Sequence, residues 1–407
     1  MPPRPLPSTR RRLLATGGSV ATLAIAGCFS SVDEGEPDST PDDDDSADGA
    51  AEVTVDTVVD GLEHPWGLVA LSGTDQLLVT ERPGRLGIID LADGTHRVVS
   101  GGPSVHARGQ GGMLDVAVHP AYPDECWIYL TYAASNDAGS ATALARGMLD
   151  ADEAALSSLE VLFVAEPYLE GSAHYGSRVV VGPDDMLYVS VGDRQRRGFD
   201  EDHVSQDRST AIGSTIRLTL EGAVPDDNPF VDDGAVEPAI WSYGHRNAQG
   251  MAVNPDTGSI WQSEHGQEDG DELNVIRRGG NYGWPIAHTG CEYGTEDPIG
   301  ESPFDRSEIV DPVHHWPCTS GGFPPAGMTF YTGDAFPEWS GDLFVGNLAG
   351  RYLGRFNVDD QQVTERDPLL SGQGWRIRAV VPDPDSGGLL VAVDDDPAPI
   401  VRLVPAD

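Results

Sequence analysis

The chain of 407 residues contains no lysine. Its 25 basic residues are all arginine, against 66 aspartates and glutamates, for a formal net charge of −41. A protein this negative repels nucleic acid phosphates and anionic lipid headgroups, which excludes both as general partners. The composition matches a haloarchaeal-type surface, solvated by its carboxylates and relieved of self-repulsion by screening salt. Each arginine is then a candidate for specific work rather than bulk charge. Cysteine is scarce too, with four residues at 28, 126, 291 and 318. Cys126, in a strand-like run beside Trp127, reads as buried and inert. Cys291 and Cys318 could pair in an oxidising compartment or stay apart. Helical periodicity is almost missing, and no apolar run is a convincing membrane span.

The N-terminus reads as an address. Thr9-Arg10-Arg11-Arg12-Leu13-Leu14 fits a twin-arginine export signal, followed by a weakly apolar run ending Ile25-Ala26-Gly27-Cys28. That ending has the form of a lipoprotein processing box with Cys28 as the lipidated residue. Residues 1–28 are therefore expected to be a signal. Residues 29–51, acidic and free of aromatics after Phe29, are expected to be a disordered tether. The expectation is an exported monomer, lipid-anchored at the outer face of the cytoplasmic membrane.

Residues 52–407 repeat a loose unit of apolar strand, Pro-Asp-Gly type turn and second strand. Instances are RVVVGPDDMLYVSVGD, MAVNPDTGSIWQSEHG and IRAVVPDPDSGGLLVAVDD, with others beginning at Gly67, Leu114 and Met328. With 49 glycines and 31 prolines supplying tight turns, six copies predict an all-β fold, a six-bladed β-propeller. Each unit is preceded by a polar loop, and a propeller gathers such loops on one face around its channel. The gathered set contains Gln110, His174, Arg246, Asn247, Arg376 and Arg378, beside an oxygen-rich turn at Gly266 and Gln267. Guanidiniums clustered at one point require an anionic partner, which a ligand with several carboxylates provides. A hard cation such as Ca2+ suits the turn. His174 is the group able to exchange a proton at ordinary pH. Such a set serves proton removal coupled to redox at a cofactor. Trp66 and Trp284 read as packing between blades, Asp193 as closing a turn, and Tyr282, Trp316 and Phe323 as cavity walls.

Nine pieces in order, EHPWGL, GQGGMLDVAVHP, HYGSRVVVGPDDMLYVSVGDR, VPDDNPF, IWSYGHRNAQG, EHGQEDGDELN, GGNYGWP, GDLFVGNL and RIR, resemble the soluble-type sugar dehydrogenases dependent on pyrroloquinoline quinone (PQQ). This is the glucose/sorbosone dehydrogenase family, and the likeness is nearest to its compact aldose sugar dehydrogenases. The resemblance implies oxidation of an aldose at its anomeric carbon, with PQQ and Ca2+ as cofactors and an unidentified electron acceptor. It implies His174 as general base and Arg246 and Asn247 on the quinone oxygens. Gln110, Arg376 and Arg378 would hold the cofactor, and the carbonyls of Gly266 and Gln267 the metal. The chain departs from the family pattern at three places. Gly266-Gln267 replaces Gly-Pro, Ala173 stands where some members carry an Asp before the histidine, and Ala349 replaces a cofactor-contacting Lys. Arg351 is expected to reach the carboxylate that this Lys would hold. Two other readings compete: a Ca2+-dependent propeller lactonase, which needs side-chain carboxylates on the metal, and a non-catalytic binding propeller.

Overall fold

The computed structural model describes residues 52–406, so the expected signal (1–28) and tether (29–51) lie outside the described residues. Six four-stranded antiparallel sheets follow one another along the chain. Their innermost strands are Pro65–Leu71, Met113–Val118, Gly176–Val181, Ala248–Val253, Pro325–Phe330 and Ile377–Pro382, which we number as blades 1 to 6. Each innermost strand packs on those of the blades before and after it, and that of blade 6 returns to blade 1. The expected six-bladed propeller is therefore closed. Its sixth sheet takes its outermost strand from the beginning of the domain, Val53–Leu62 pairing antiparallel with Ala398–Pro405. A ring sealed in this way leaves no inner edge to pair with another chain.

Both faces of each sheet are covered by neighbouring blades, so inner strands read as apolar runs, without the alternation of a half-solvated sheet. Met186–Val191 (MLYVSV) and Leu389–Val393 (LLVAV) are of this type, whereas the outer strand Gln362–Leu369 is largely exposed. The core is split accordingly into wedges between consecutive blades. Leu78 and Ile88 meet Ile128 and Leu130 between blades 1 and 2, and Leu68 and Val79 meet Leu390 and Ile400 between blades 6 and 1. Trp316 and Phe323 stack at 4.4 Å between blades 4 and 5, and Tyr282 stacks on His245 at 4.5 Å. All three aromatics expected as cavity walls are thus core residues.

One buried side chain addresses all six blades. Arg178, on the inner strand of blade 3, donates to Asp115 Oδ1 of blade 2 (3.0 Å), to the Gln249 carbonyl of blade 4 (2.6 Å) and to the Arg378 carbonyl of blade 6 (3.1 Å). Its guanidinium lies 4.1 Å from the ring of Trp66 of blade 1. Gly327 of blade 5 approaches so closely that a Cβ there would lie 2.7 Å from an Arg178 nitrogen. Burial pushes the Asp115 carboxyl up and the Arg178 guanidinium down, and their mutual attraction opposes both shifts.

Between the third and fourth strands of blade 4 the chain inserts a small hairpin, Ala287–Cys291 with Pro298–Gly300. The Cys291–Cys318 disulfide is formed, with Cα atoms 5.3 Å apart, and ties this hairpin to the segment after the fourth strand. Cys126 is only half-buried, its Sγ near the Pro123 carbonyl, because it sits in the turn before its strand rather than in the wedge.

Removing one member of a buried, hydrogen-bonded charge pair strands the other. Asp115→Ala is therefore expected to destabilise the domain by about 3–5 kcal/mol, measured by denaturant unfolding at fixed salt. A loss below about 1 kcal/mol would show that the hub is dispensable.

Candidate active site

The inner strands all begin at the same end of the channel, and there the residues just before them meet those just after each second strand. A cavity of about 350 Å3 results. Gln110, His174, Arg246, Asn247, Gly266, Gln267, Arg376 and Arg378 all line it, so the structure brings together eight of the nine residues expected at the site. The ninth, Arg351, does not line it. Arg351 is exposed on a left-handed turn (φ 61°) after the second strand of blade 5, and its guanidinium points to the Gly374 carbonyl. Ala349 does line the cavity. Arg82 of blade 1 lines the cavity as a further cation.

His174 is buried at 5 % exposure and held in the left-handed region (φ 50°), a backbone state that non-glycine residues keep only when the surroundings fix it. Its N–H donates to Gln110 Oε1 (2.7 Å), and its carbonyl accepts from the Arg194 N–H (3.2 Å). Gln110 is thus a positioning residue for the histidine as well as a wall residue. The loop carrying Gln110 depends on Gly112 (φ 141°), where any Cβ would collide with the Arg82 carbonyl. The His174 ring is oriented through Nδ1, 2.7 Å from Asp193 Oδ1. Asp193 also closes its own turn, accepting from the Gln195 N–H (2.7 Å), and it receives the Trp284 indole N–H (2.9 Å). Trp284 is therefore more than interblade packing, and Asp193 supplies what Ala173 cannot.

Burial lowers the His174 pKa, and the nearby Arg246 and Arg194 guanidiniums add to that, while Asp193 resists. The balance lies below the usual value of 6.5, so the ring is neutral at neutral pH, with the Nε2 lone pair free when Nδ1 carries the proton to Asp193. Burial works against ionisation of Asp193, yet the hydrogen bond from His174 and the Arg246 charge hold its carboxyl below the ordinary range.

Arg246 enters from the loop before blade 4. Its backbone N–H donates to Glu264, which also accepts from His245 (2.8 Å). Its guanidinium donates to the His265 carbonyl and to Gln267 Oε1, both at 3.2 Å, and sits over the Trp284 ring. Gln267 in place of the family's Pro thus clamps the arginine. Arg378 donates to Gln249 Oε1 (2.8 Å) and to Asp394 Oδ2 (2.6 Å), whereas Arg376 is half-exposed and 3.6 Å from the same carboxylate. The Nε atoms of Arg246 and Arg378 are buried and have no acceptor among the described residues. Asp269 and Asp271 complete the wall beside Gly266, and burial pushes Asp271 up to about 6. Tyr293, on the inserted hairpin, is the exposed aromatic at the rim.

Four arginines around one cavity, two with unanswered buried N–H groups, form a receptor for a ligand with several anionic oxygens. Among the described residues no group of three or more His, Cys, Asp or Glu converges on a point. A cation at the Gly266–Gln267 turn would therefore take backbone carbonyls and ligand oxygens, a donor set suited to Ca2+.

The family model that describes glucose/sorbosone dehydrogenases matches residues 62–402. The chain is 36 % identical to aldose sugar dehydrogenase YliI of Escherichia coli (strain K12), over 87 % of this chain and 94 % of that protein. It is 31 % identical to quinoprotein glucose dehydrogenase B of Acinetobacter calcoaceticus, over 83 % and 84 %. The PQQ-bound aldose sugar dehydrogenase of Streptomyces coelicolor superposes with a TM-score of 0.69 at 28 % identity, covering 87 % of this chain and 99 % of that one.

The His174 imidazole is expected to titrate below pH 6.5 when followed by NMR. Asp193→Asn should move the titration lower still, because it removes the carboxylate that favours the cation and leaves Arg246 and Arg194, which oppose it. A midpoint at or above 6.5, or an upward move in the variant, would contradict the neutral, Asp-held imidazole.

Proposed function

The chain belongs to the glucose/sorbosone dehydrogenase family, and from that membership and the cavity we propose that it oxidises aldose sugars at the anomeric carbon to the lactone, with PQQ and Ca2+. The observation that carries the proposal is the neutral His174, fixed by Asp193, opening on a chamber whose arginines have unanswered buried N–H groups. PQQ, a tricarboxylate, fits that charge pattern. Arg376 and Arg378 would hold carboxylates, Arg246 and Asn247 the quinone oxygens, with Gln110 against it and the carbonyls of Gly266 and Gln267 on Ca2+. When bound, the quinone supplies a two-electron hydride acceptor and Ca2+ a Lewis acid.

The chain's own part is proton transfer and placement. His174 Nε2 takes the proton of the anomeric hydroxyl as the C1 hydride departs, and Asp193 stabilises the resulting imidazolium through Nδ1–H. Arg246, held by Gln267 and the His265 carbonyl, presents fixed positive charge where negative charge develops and needs no reorganisation. The lactonase reading requires carboxylates converging on the metal, and the wall presents chiefly guanidinium, amide and imidazole groups. As part of the same proposal, twin-arginine export and a lipid on Cys28 would place a monomeric enzyme at the outer face of the cytoplasmic membrane. There it would pass electrons to an acceptor not yet identified.

The test is reconstitution of the purified protein in molar salt with Ca2+ and PQQ, followed by dye reduction on a panel of aldoses. Saturable oxidation that chelator abolishes is expected. His174→Ala should lower kcat about 10²–10⁴-fold while quinone binding, read by absorbance, persists. A well-folded protein that binds no quinone would overturn the proposal.

A further inference from the structure

Beside the first cavity lies a second chamber of about 550 Å3, and the two share His174, Arg246, Gln267 and Tyr293. Arg196, Arg197 and Phe199 line the second chamber only. Both arginines are exposed, and neither guanidinium has an ion-pair partner within 4.0 Å among the described residues. Arg85, Arg217, Arg306, Arg355 and Arg402 find carboxylates, whereas Arg196 and Arg197 are distinguished by lining a chamber shared with His174. Two exposed arginines lining one chamber offer an anion entering it charge-assisted hydrogen bonds.

Their loop is fixed relative to the base. The buried Arg194 guanidinium donates to the carbonyls of Ser140 (2.6 Å), Gly171 (3.0 Å) and Ala173 (3.1 Å), and stacks 3.9 Å from the Tyr175 ring. The Gln195 N–H donates to Asp193 Oδ1 and the Arg196 N–H to the Asp193 carbonyl. The residue that orients His174 therefore also anchors the arginine pair. Phe199 and Tyr293, 37 % and 63 % exposed, line the same chamber and give it aromatic surface on which the C–H face of a pyranose can pack.

We propose that Arg196 and Arg197 select aldoses bearing a negative group, a carboxylate as in a uronic acid or a phosphate ester, while the anomeric hydroxyl meets His174. The inference rests on the dehydrogenase reading above. The reaction is unchanged: C1 gives up hydride to the quinone and its hydroxyl proton to His174, and the lactone formed keeps the anionic group. A small anion is favoured over an acidic protein partner because the pair lines a chamber rather than a flat face. The net charge of −41 would repel such a protein across its whole contact area, whereas a sugar anion inside the chamber feels mainly the local field.

The experiment compares kcat/KM of the reconstituted holoenzyme for D-glucose, D-glucuronate and D-glucose 6-phosphate, in the wild type and in Arg196→Gln/Arg197→Gln, at two salt concentrations. The wild type is expected to favour at least one anionic sugar over glucose by about tenfold or more, the magnitude of a charge-assisted contact. The preferred arm then identifies carboxylate or phosphate. The double variant should bring the ratio close to one, mainly through KM. A separate reading is calorimetric binding of methyl glucuronide, which has no free anomeric hydroxyl and is not oxidised; it should weaken about tenfold in the variant. A wild-type ratio at or below one, equal losses for neutral and anionic sugars in the variant, or glucuronide binding indifferent to the substitutions would each overturn the inference. Failure to oxidise any aldose would instead strike the dehydrogenase reading, and glucuronide binding would still decide the role of the arginine pair.

Discussion

The propeller turns on the guanidinium of Arg178. Hydrogen bonds, a ring face and one close glycine bring it against every blade. Apolar wedges supply most of the burial, but apolar contact is non-directional and would tolerate small rotations of one blade against the next. A planar donor with fixed directions does not. The buried Arg178–Asp115 pair costs desolvation, and its return is a set relative height for blades 2, 3, 4 and 6. That height matters because Gln249 and Arg378, whose carbonyls Arg178 binds, lie on the inner strands that carry Arg246, Asn247 and Arg376 into the cavity. Gln249 and Arg378 also contact each other through their side chains at 2.8 Å.

From this frame the site follows by strand register. Gly176 pairs with Val191, so two steps outward His174 faces Asp193. Ala248 pairs with Glu264, which sets Asn247 opposite His265, and Ile377 with Val393, which sets Arg376 opposite Asp394. Pro65 pairs with Glu81, setting His64 opposite Arg82. The cavity wall is thus largely built from residues just outside paired strand ends, one from each side. The repeat was legible because every inner strand is announced by an apolar run and a tight turn, and the polar loops before those strands were legible with it. The residues after each second strand were equally accessible to this argument. VGDR next to HYGSR, read as a hairpin, places the aspartate on the histidine, whereas read as a lone motif it only closes a turn.

Other elements were not legible, for identifiable reasons. Arg351 lies near enough in sequence to replace a lysine at 349, but a left-handed turn swings it away, and positive φ at a non-glycine residue has little sequence signature. Tyr282, Trp316 and Phe323 adjoin site motifs, yet large aromatics contribute most where both faces are covered, and each is drawn into a wedge or stack. Tyr293 could not be placed from blade periodicity, since it belongs to an insertion. The insertion is tied down by the Cys291–Cys318 bridge, which the sequence left open as formed or not.

The absence of lysine bears on how such a site works in an acidic molecule. Exposed charges lose their reach beyond a Debye length, about 3 Å at 1 M salt, whereas buried ones are screened much less. A guanidinium is planar, weakly hydrated and permanently charged, so it can be buried with its hydrogen bonds satisfied where an ammonium would tend to give up its proton. Arg178, Arg246 and Arg378 are at most 5 % exposed, and His174 and Asp193 are equally enclosed. The carboxylate-rich exterior and the arginine-rich channel are therefore separable electrostatic systems. Salt can quench the self-repulsion of the first without quenching the field at His174, whose protonation is governed by burial, Asp193 and Arg246 rather than by the surface charge outside.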